Sequence, residues 1–223
     1  MAMTGAATRR GRPTADDARQ KLAQVIAVAR EQFIELGYRA VTMRGVAEKA
    51  QVSTRTLYNR YADKLSLFAA CLDFGAVAFP QLDAPPEADR YRVLREHAAA
   101  IVTLLAQDSS LRLGMLVYRE GGDFPELARA SEVNQDRYLV QPLAAYFRSL
   151  DLATEPDAKE LAKLFINMAL SEWQRRVVYR RPMPPQAEIE RHAAFVTAVF
   201  LDGVGRPAAE AAGAARSRRR QRS

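Results

Sequence analysis

The sequence predicts an all-α chain: a small N-terminal unit of three short helices, then a longer helical body. Three observations carry this. Apolar residues recur at spacings of three and four from about residue 19 to residue 201, and no stretch alternates as a strand would. The segment Thr42–Lys64 reads as two short helices around a tight turn, followed by the start of a further helix. Proline and glycine clusters at 80–86, 121–122 and 180–185 punctuate the rest.

Residues 1–18 are polar and read as a disordered basic arm. Within it Arg9, Arg10 and Arg12 belong to an Arg-Arg-Gly-Arg-Pro run. An extended run of this kind can lie in a narrow minor groove, where negative potential concentrates. A flexible terminus touching nothing specific is the competing reading. Arg19 to Leu36 carries Leu22, Val25, Ile26, Ala29, Phe33 and Leu36 on one helical stripe, and Gly37 follows as its C-cap. Tyr38 is expected to fold back onto this unit.

The next helix spans about Met43–Ala50, with Thr42 as its N-cap; Gln51 and Val52 make the corner, and Ser53 caps the helix Thr54–Tyr61. In that helix Leu57 points inward, flanked by Thr56 and Tyr61. Thr54, Arg55, Tyr58, Asn59 and Arg60 are left for the outside; each can donate a hydrogen bond and none is acidic. A short donor-rich helix after a tight turn is the geometry that enters a DNA major groove. Asp63 caps the following helix, and Lys64 in its first turn is placed to hold a phosphate.

The residues T-M-R-x-V-A-x-x-A-x-V-S-x-x-T-L-Y-x-x-Y-x-x-K from Thr42 to Lys64, with F-x-x-x-G-Y-x-x-V-T before them, resemble the DNA-binding signature of the TetR family of transcriptional regulators. The resemblance covers about Lys21–Phe68 and is weaker beyond. Two positions depart from it. Gln51 stands where glycine is common, which puts little in doubt so long as the turn keeps φ negative. Arg55 stands where a small residue is frequent and reads as a determinant of specificity.

The helix Lys64–Phe79 is apolar on more than one face, as suits a connector. After the loop 80–86, helices are expected at about Ala88–Gln107, Ser109–Arg119, Phe124–Leu150, Asp157–Tyr179 and Gln186–Leu201. Pro125 fits the first turn of the third of these, and Pro142 inside it predicts a kink or break. The stretch Leu111–Arg129, with R-E-x-x-x-F-P-E-L-A, also resembles ligand-domain segments in one branch of TetR regulators. The last two helices carry more apolar surface than one core stripe requires. Paired with a second copy they would form a four-helix bundle, which the resemblance also implies. Residues 206–223 read as a disordered basic tail.

Charge follows this division. Residues 1–78 hold 12 Lys/Arg against 7 Asp/Glu, residues 79–205 hold 15 against 18, and residues 206–223 hold 6 against 1. Basic ends around a slightly acidic body point to a polyanion that meets the ends. The single cysteine, Cys71, excludes an internal disulfide and reads as a small buried hydrophobe. No apolar run reaches the ~20 residues that span a bilayer, and the N-terminus lacks the apolar core of a secretory signal. The expectation is a cytoplasmic protein with no membrane partner. His97 and His192 lie far apart in helical stretches, and no metal-ligand spacing or phosphate-binding glycine loop is present. No enzyme activity and no cofactor are therefore expected.

The reading is an all-α homodimer: a helix-turn-helix DNA-binding domain over 19–62, and a C-terminal helical ligand-binding and dimerisation domain over 63–205. The expected function is sequence-specific transcriptional regulation, a repressor released from a palindromic double-stranded operator by a small apolar or amphipathic effector. Base readers are Arg44, Thr54, Arg55 and Asn59. Phosphate anchors are Thr42, Ser53, Thr56, Tyr58, Arg60 and Lys64. The effector pocket is expected around Met115, Tyr118, Phe147, Phe165, Met168 and Trp173. The competing reading is a constitutive architectural DNA-binding protein without an effector. A catalytic all-α domain with a vestigial head is the third.

Overall fold

The structure is a computed structural model and describes residues 15–77, 79, 82, 84–85, 87–150 and 157–204; the Arg9–Arg12 arm and the 206–223 tail lie outside them. Ten α-helices and one π-helical turn are found among the described residues: α1 Ala15–Ala40, α2 Met43–Lys49, α3 Thr54–Arg60, α4 Lys64–Ala76, α5 Arg90–Leu105, α6 Asp108–Glu120, α7 Pro125–Gln135, the π turn Asp136–Val140, α8 Gln141–Ser149, α9 Asp157–Val178 and α10 Gln186–Val204. There is no strand among them. No single helix among them is long and apolar enough to cross a membrane.

The described residues form two compact units that divide between Cys71 and Leu72. The division falls inside α4, beyond the 62/63 junction used for the sequence reading. The first turns of α4 belong to the head because Leu67, Phe68 and Cys71 are fully buried there. Phe33, Tyr38 and Phe68 make the head's aromatic centre: Phe68 meets Phe33 edge-on at 5.2 Å and Tyr38 at 5.8 Å, and Phe33 stacks with Tyr38 at 5.9 Å. Gly37 breaks α1 as expected, with φ 82° and ψ 162°, a region open essentially to glycine. The break lets Tyr38 turn back into the core, 5% exposed. Residues 15–18, assigned to the disordered arm, are helical and lengthen α1.

The expected single helix from Phe124 to Leu150 is divided. Pro142 has no N–H to give and its ring crowds the carbonyl four residues back. The chain answers with the π turn Asp136–Val140 immediately before it, a one-turn bulge in an otherwise continuous helical path. Within the C-terminal unit, α10 packs along α5 and α9, α8 along α9, and α6 against α5 and α7. Phe147, Phe165 and Phe200, from α8, α9 and α10, form the core's aromatic centre, with Phe147 stacked on Phe200 at 5.3 Å and Phe165 edge-on to Phe200 at 5.0 Å. Arg176 ties α9 to α10 through Glu188 at 2.7 Å, and is held by Glu172 of its own helix at 3.0 Å and by the Pro182 carbonyl of the connecting loop at 2.8 Å. The helix end just beyond is a Schellman turn: Arg180 takes φ 52°, and Arg181 N–H donates to Arg176 O at 2.8 Å.

Candidate functional site

Thr42 Oγ1 accepts from Gly45 N–H at 3.1 Å and starts α2. The same device starts α3, where Ser53 Oγ accepts from Thr56 N–H at 3.0 Å and pairs with Thr56 Oγ1 at 2.6 Å. Between them α2 closes as a Schellman turn. Gln51 N–H donates to Glu48 O and Val52 N–H to Ala47 O, at 3.1 and 3.0 Å. This places Gln51 at φ 56°, in the left-handed region. The sequence expectation that glutamine here is innocuous rested on a negative φ and is corrected: the turn needs the conformation that glycine adopts without strain. Asp63 starts α4 by accepting from Ser66 N–H at 2.7 Å, and that bond, with the Ser66 hydroxyl, lowers its pKa.

These caps hold α3 at seven residues, of which only Leu57 is buried. Thr54, Arg55, Thr56, Tyr58, Asn59 and Arg60 are all exposed. Thr56, expected to flank Leu57, is on the surface, while Tyr61 just past the helix is buried as expected. The face therefore presents two guanidinium groups, two threonine hydroxyls, an amide and a phenol, with no carboxylate among them.

Arg44 extends from α2, its side chain 82% exposed, and its Nε donates to Glu48 Oε1 at 2.9 Å. Glu48, one turn on along α2, is a partner of Arg44 that sequence reasoning did not single out. The signal was there, since 44 and 48 stand at the i, i+4 spacing of helical ion pairs. The bond to Glu48 raises the Arg44 pKa. Lys64 is placed differently from its neighbours. Its Nζ donates to Tyr38 O at 2.7 Å and to Arg39 O at 3.4 Å, and it lies 4.3 Å from the centre of the Tyr38 ring. It thus brackets the end of α1 to the start of α4.

In the C-terminal unit, Phe147 and Phe165 are fully buried, and Trp173 is buried with its Nε1 donating to Leu105 O at 3.2 Å. Met115 and Met168 are half-buried against the same core. Tyr118 does not join them: it is 66% exposed. Three polar groups lie inside instead, of which the sequence reading named His97 alone, and not as a pocket residue. His97, Tyr146 and Thr197 are buried, and both ring nitrogens of His97, the Tyr146 hydroxyl and the Thr197 hydroxyl have no hydrogen-bond partner. Each sits within an apolar stripe at helical spacing, as in Leu94-His97-Ala98-Ile101 and Ala193-Val196-Thr197-Phe200, which is the signal that could have found them. Burial without a partner pulls His97 down to about 4. A groove of about 580 Å³ between α5 and α10, lined by Arg95, Glu96, Ala99, Thr103, Gln186 and Glu190 among others, includes none of the expected pocket residues.

Cys71 is fully buried, with its Sγ 3.9 Å from Ile26 O, and burial pushes its thiol up to about 12. Among the described residues no cluster of three His, Cys, Asp or Glu could hold a metal ion.

Comparison with known proteins gives a consistent result. The family model "Bacterial regulatory proteins, tetR family" matches residues 25–71, and "AefR-like transcriptional repressor, C-terminal domain" matches residues 92–203. The chain is 24% identical over 178 residues to the HTH-type transcriptional repressor BepR of Brucella suis biovar 1 (strain 1330), covering 73% of this chain and 84% of that one. Among solved structures, one described as a TetR-family transcriptional regulator, from Mesorhizobium loti MAFF303099, has a TM-score of 0.67 at 24% identity, covering 83% of this chain and 96% of that one. The flavonoid-responsive regulator FrrA has a TM-score of 0.67 at 23% identity, covering 83% and 97%. At these identities the structural matches establish the fold.

Proposed function

The chain belongs to the TetR family of bacterial regulatory proteins and is a DNA-binding transcriptional regulator; from that premise we propose that it is a homodimeric repressor whose grip on a palindromic operator is released by a small amphipathic effector. One observation carries the assignment of the reading surface. The helix α3 gives a single side chain, Leu57, to the core and turns every other residue outward.

Arg44, Thr54, Arg55 and Asn59 are assigned to base edges, and Thr42, Ser53, Thr56, Tyr58 and Arg60 to phosphates. An arginine that bonds guanine through two N–H groups discriminates by ~1–3 kcal/mol. The Lys64 ammonium already holds two carbonyls of α1, so its first duty is to orient α4. A phosphate contact by Lys64 would be made through the same bracket. The Arg9–Arg12 arm is assigned to the adjacent minor groove.

Dimerisation is supported by apolar side chains left on the surface of the last two helices. Leu164 and Val178 recur two heptads apart on α9 and are 51% and 69% exposed; Phe195 and Val199 stand four apart on α10 at 67% and 45%. Two such faces from two copies make the four-helix arrangement that presents two heads to two half-sites. We place the protein in the cytoplasm, where its DNA is.

The test is selection of bound duplexes from a random pool at ~150 mM salt, where non-specific phosphate binding is weak. A palindrome with half-sites about one helical turn apart is the expected result. Absence of any enriched sequence would overturn the operator reading in favour of a constitutive architectural binder. Release is then tested as linkage: an effector that weakens operator binding must itself bind more weakly to the operator complex, by the same factor.

A further inference from the structure

Seven residues make α2, and its charged side chains Arg44, Glu48 and Lys49 serve two different ends. Lys49 turns back to α1, where its Nζ meets Glu31 at 2.8 Å and Glu35 at 4.0 Å. Gln32, buried on α1, donates from Nε2 to Gly45 O at 3.2 Å and fixes the first turn of α2 as well. A side chain at Gly45 would crowd the cap, since its Cβ would lie 3.2 Å from Thr42 Oγ1. Both turns of α2 are thus held, and Arg44 and Glu48 stand on a set backbone.

Arg44 and Glu48 take no part in that anchoring. Their side chains are 82% and 65% exposed, and an exposed pair at this spacing adds little to stability. Its geometry says more than its energy. The Nε–H of Arg44 donates to the Glu48 carboxylate at 2.9 Å. That leaves the N–H groups of the two terminal nitrogens, a planar fork that matches two acceptors on one base edge. The pair also carries no net charge, so a backbone phosphate gains little by drawing Arg44 aside.

We infer that Glu48 is a positioning residue for sequence readout, holding the Arg44 guanidinium end-on for a base edge and keeping it from the phosphates. The inference rests on the base-reading assignment of Arg44 made above and supplies its orienting group. An arginine free to search many rotamers must be ordered when it meets its base, and that ordering weakens only the complex with the right base. Glu48 orders it beforehand. The gain therefore appears as preference between sequences. Bulk affinity moves the other way, because a carboxylate beside DNA repels every phosphate alike.

The experiment is competition binding of the full chain at ~150 mM salt, with the selected operator and its single-base-pair variants as probes. Both side chains are exposed, so the variants keep the fold. Arg44→Ala identifies the base pair that Arg44 reads, as the position where preference falls by about fivefold or more. At that base pair Glu48→Ala should lower the preference by about threefold, the effect of freeing one rotamer-rich side chain. Glu48→Gln keeps an acceptor for the Nε–H and should hold the preference within about twofold of the wild type. In the Arg44→Ala background Glu48→Ala should change no preference further. The inference is overturned if Glu48→Ala keeps the preference and only tightens all duplexes alike, as a solvated surface charge would. It is also overturned if Glu48→Gln loses the preference as fully as alanine does, or if Glu48→Ala lowers it equally without Arg44. The parent assignment fails separately. Arg44→Ala that leaves every base preference unchanged would remove base reading by Arg44, and the role of Glu48 with it.

Discussion

Acidification should destabilise the C-terminal unit through one side chain. His97 is 3% exposed and its ring nitrogens are unpartnered, so its pKa falls from 6.5 to about 4 in the folded chain. A histidine held neutral by the fold takes up its proton more readily when unfolded. Its stability contribution is therefore complete above pH 6.5 and is lost as the pH falls from 6.5 towards 4. At pH 5 the unfolded form is almost fully protonated at this residue and the folded form only about a tenth so, a cost of roughly 2 kcal/mol. The limit, below pH 4, is about 3.4 kcal/mol. Urea unfolding of the wild type and of His97→Leu at pH 7.5, 6.5, 5.5 and 5.0, at one protein concentration, isolates this residue from other acid effects. The variant should equal or exceed the wild type at pH 7.5, and its advantage should grow by about 2 kcal/mol by pH 5. A gap that stays constant within about 0.5 kcal/mol would show that His97 titrates normally and would refute its burial.

Gln51→Gly should raise the stability of the head by about 0.5–1 kcal/mol, because glycine adopts the left-handed turn without strain; a urea midpoint shifted upward at unchanged slope is the readout. Arg55→Ala should flatten base preference at one or two operator positions by ~1–3 kcal/mol, whereas Arg60→Ala should weaken all duplexes alike and reduce the salt slope by about one; competition binding at two salt concentrations separates them. Phe195→Glu should leave the fold intact and convert the dimer to monomer, with loss of palindrome binding, as seen by sedimentation and gel shift. Cys71, with its thiol pushed up to about 12 and fully buried, should resist iodoacetamide at pH 7.5 until the chain is unfolded by urea.

Helix ends in this protein are set by local chemistry and were legible for that reason. Thr42, Ser53 and Asp63 each cap the helix expected of them, because a side-chain oxygen and an N–H two or three residues on need no distant partner. Gly37 and Pro142 interrupt helices where their backbone restrictions say they must, although whether Pro142 would bend, break or widen the path depended on packing around α8. The left-handed turn at Gln51 was hidden because its side chain carries no mark of it. The orphaned core groups were hidden for a different reason. A histidine or threonine on an apolar stripe reads equally as the stripe's edge or its centre, and only the packing of α5, α8 and α10 distinguishes these. Tyr118 failed in the opposite direction, since an aromatic residue beside a core stripe ended on the surface.

A helix of seven residues would not form by itself in water. Here α3 is kept folded from outside, by the Ser53 cap and the single anchor Leu57. Of the remaining six side chains Thr56 pairs its hydroxyl with that cap, and most of the others have no part in the support. They are free to drift under selection without risk to the fold, so operator preference and protein stability can evolve as separate traits. A lineage with this head could acquire a new regulon by exchanging a few surface residues on α3, while the C-terminal unit stayed as it was.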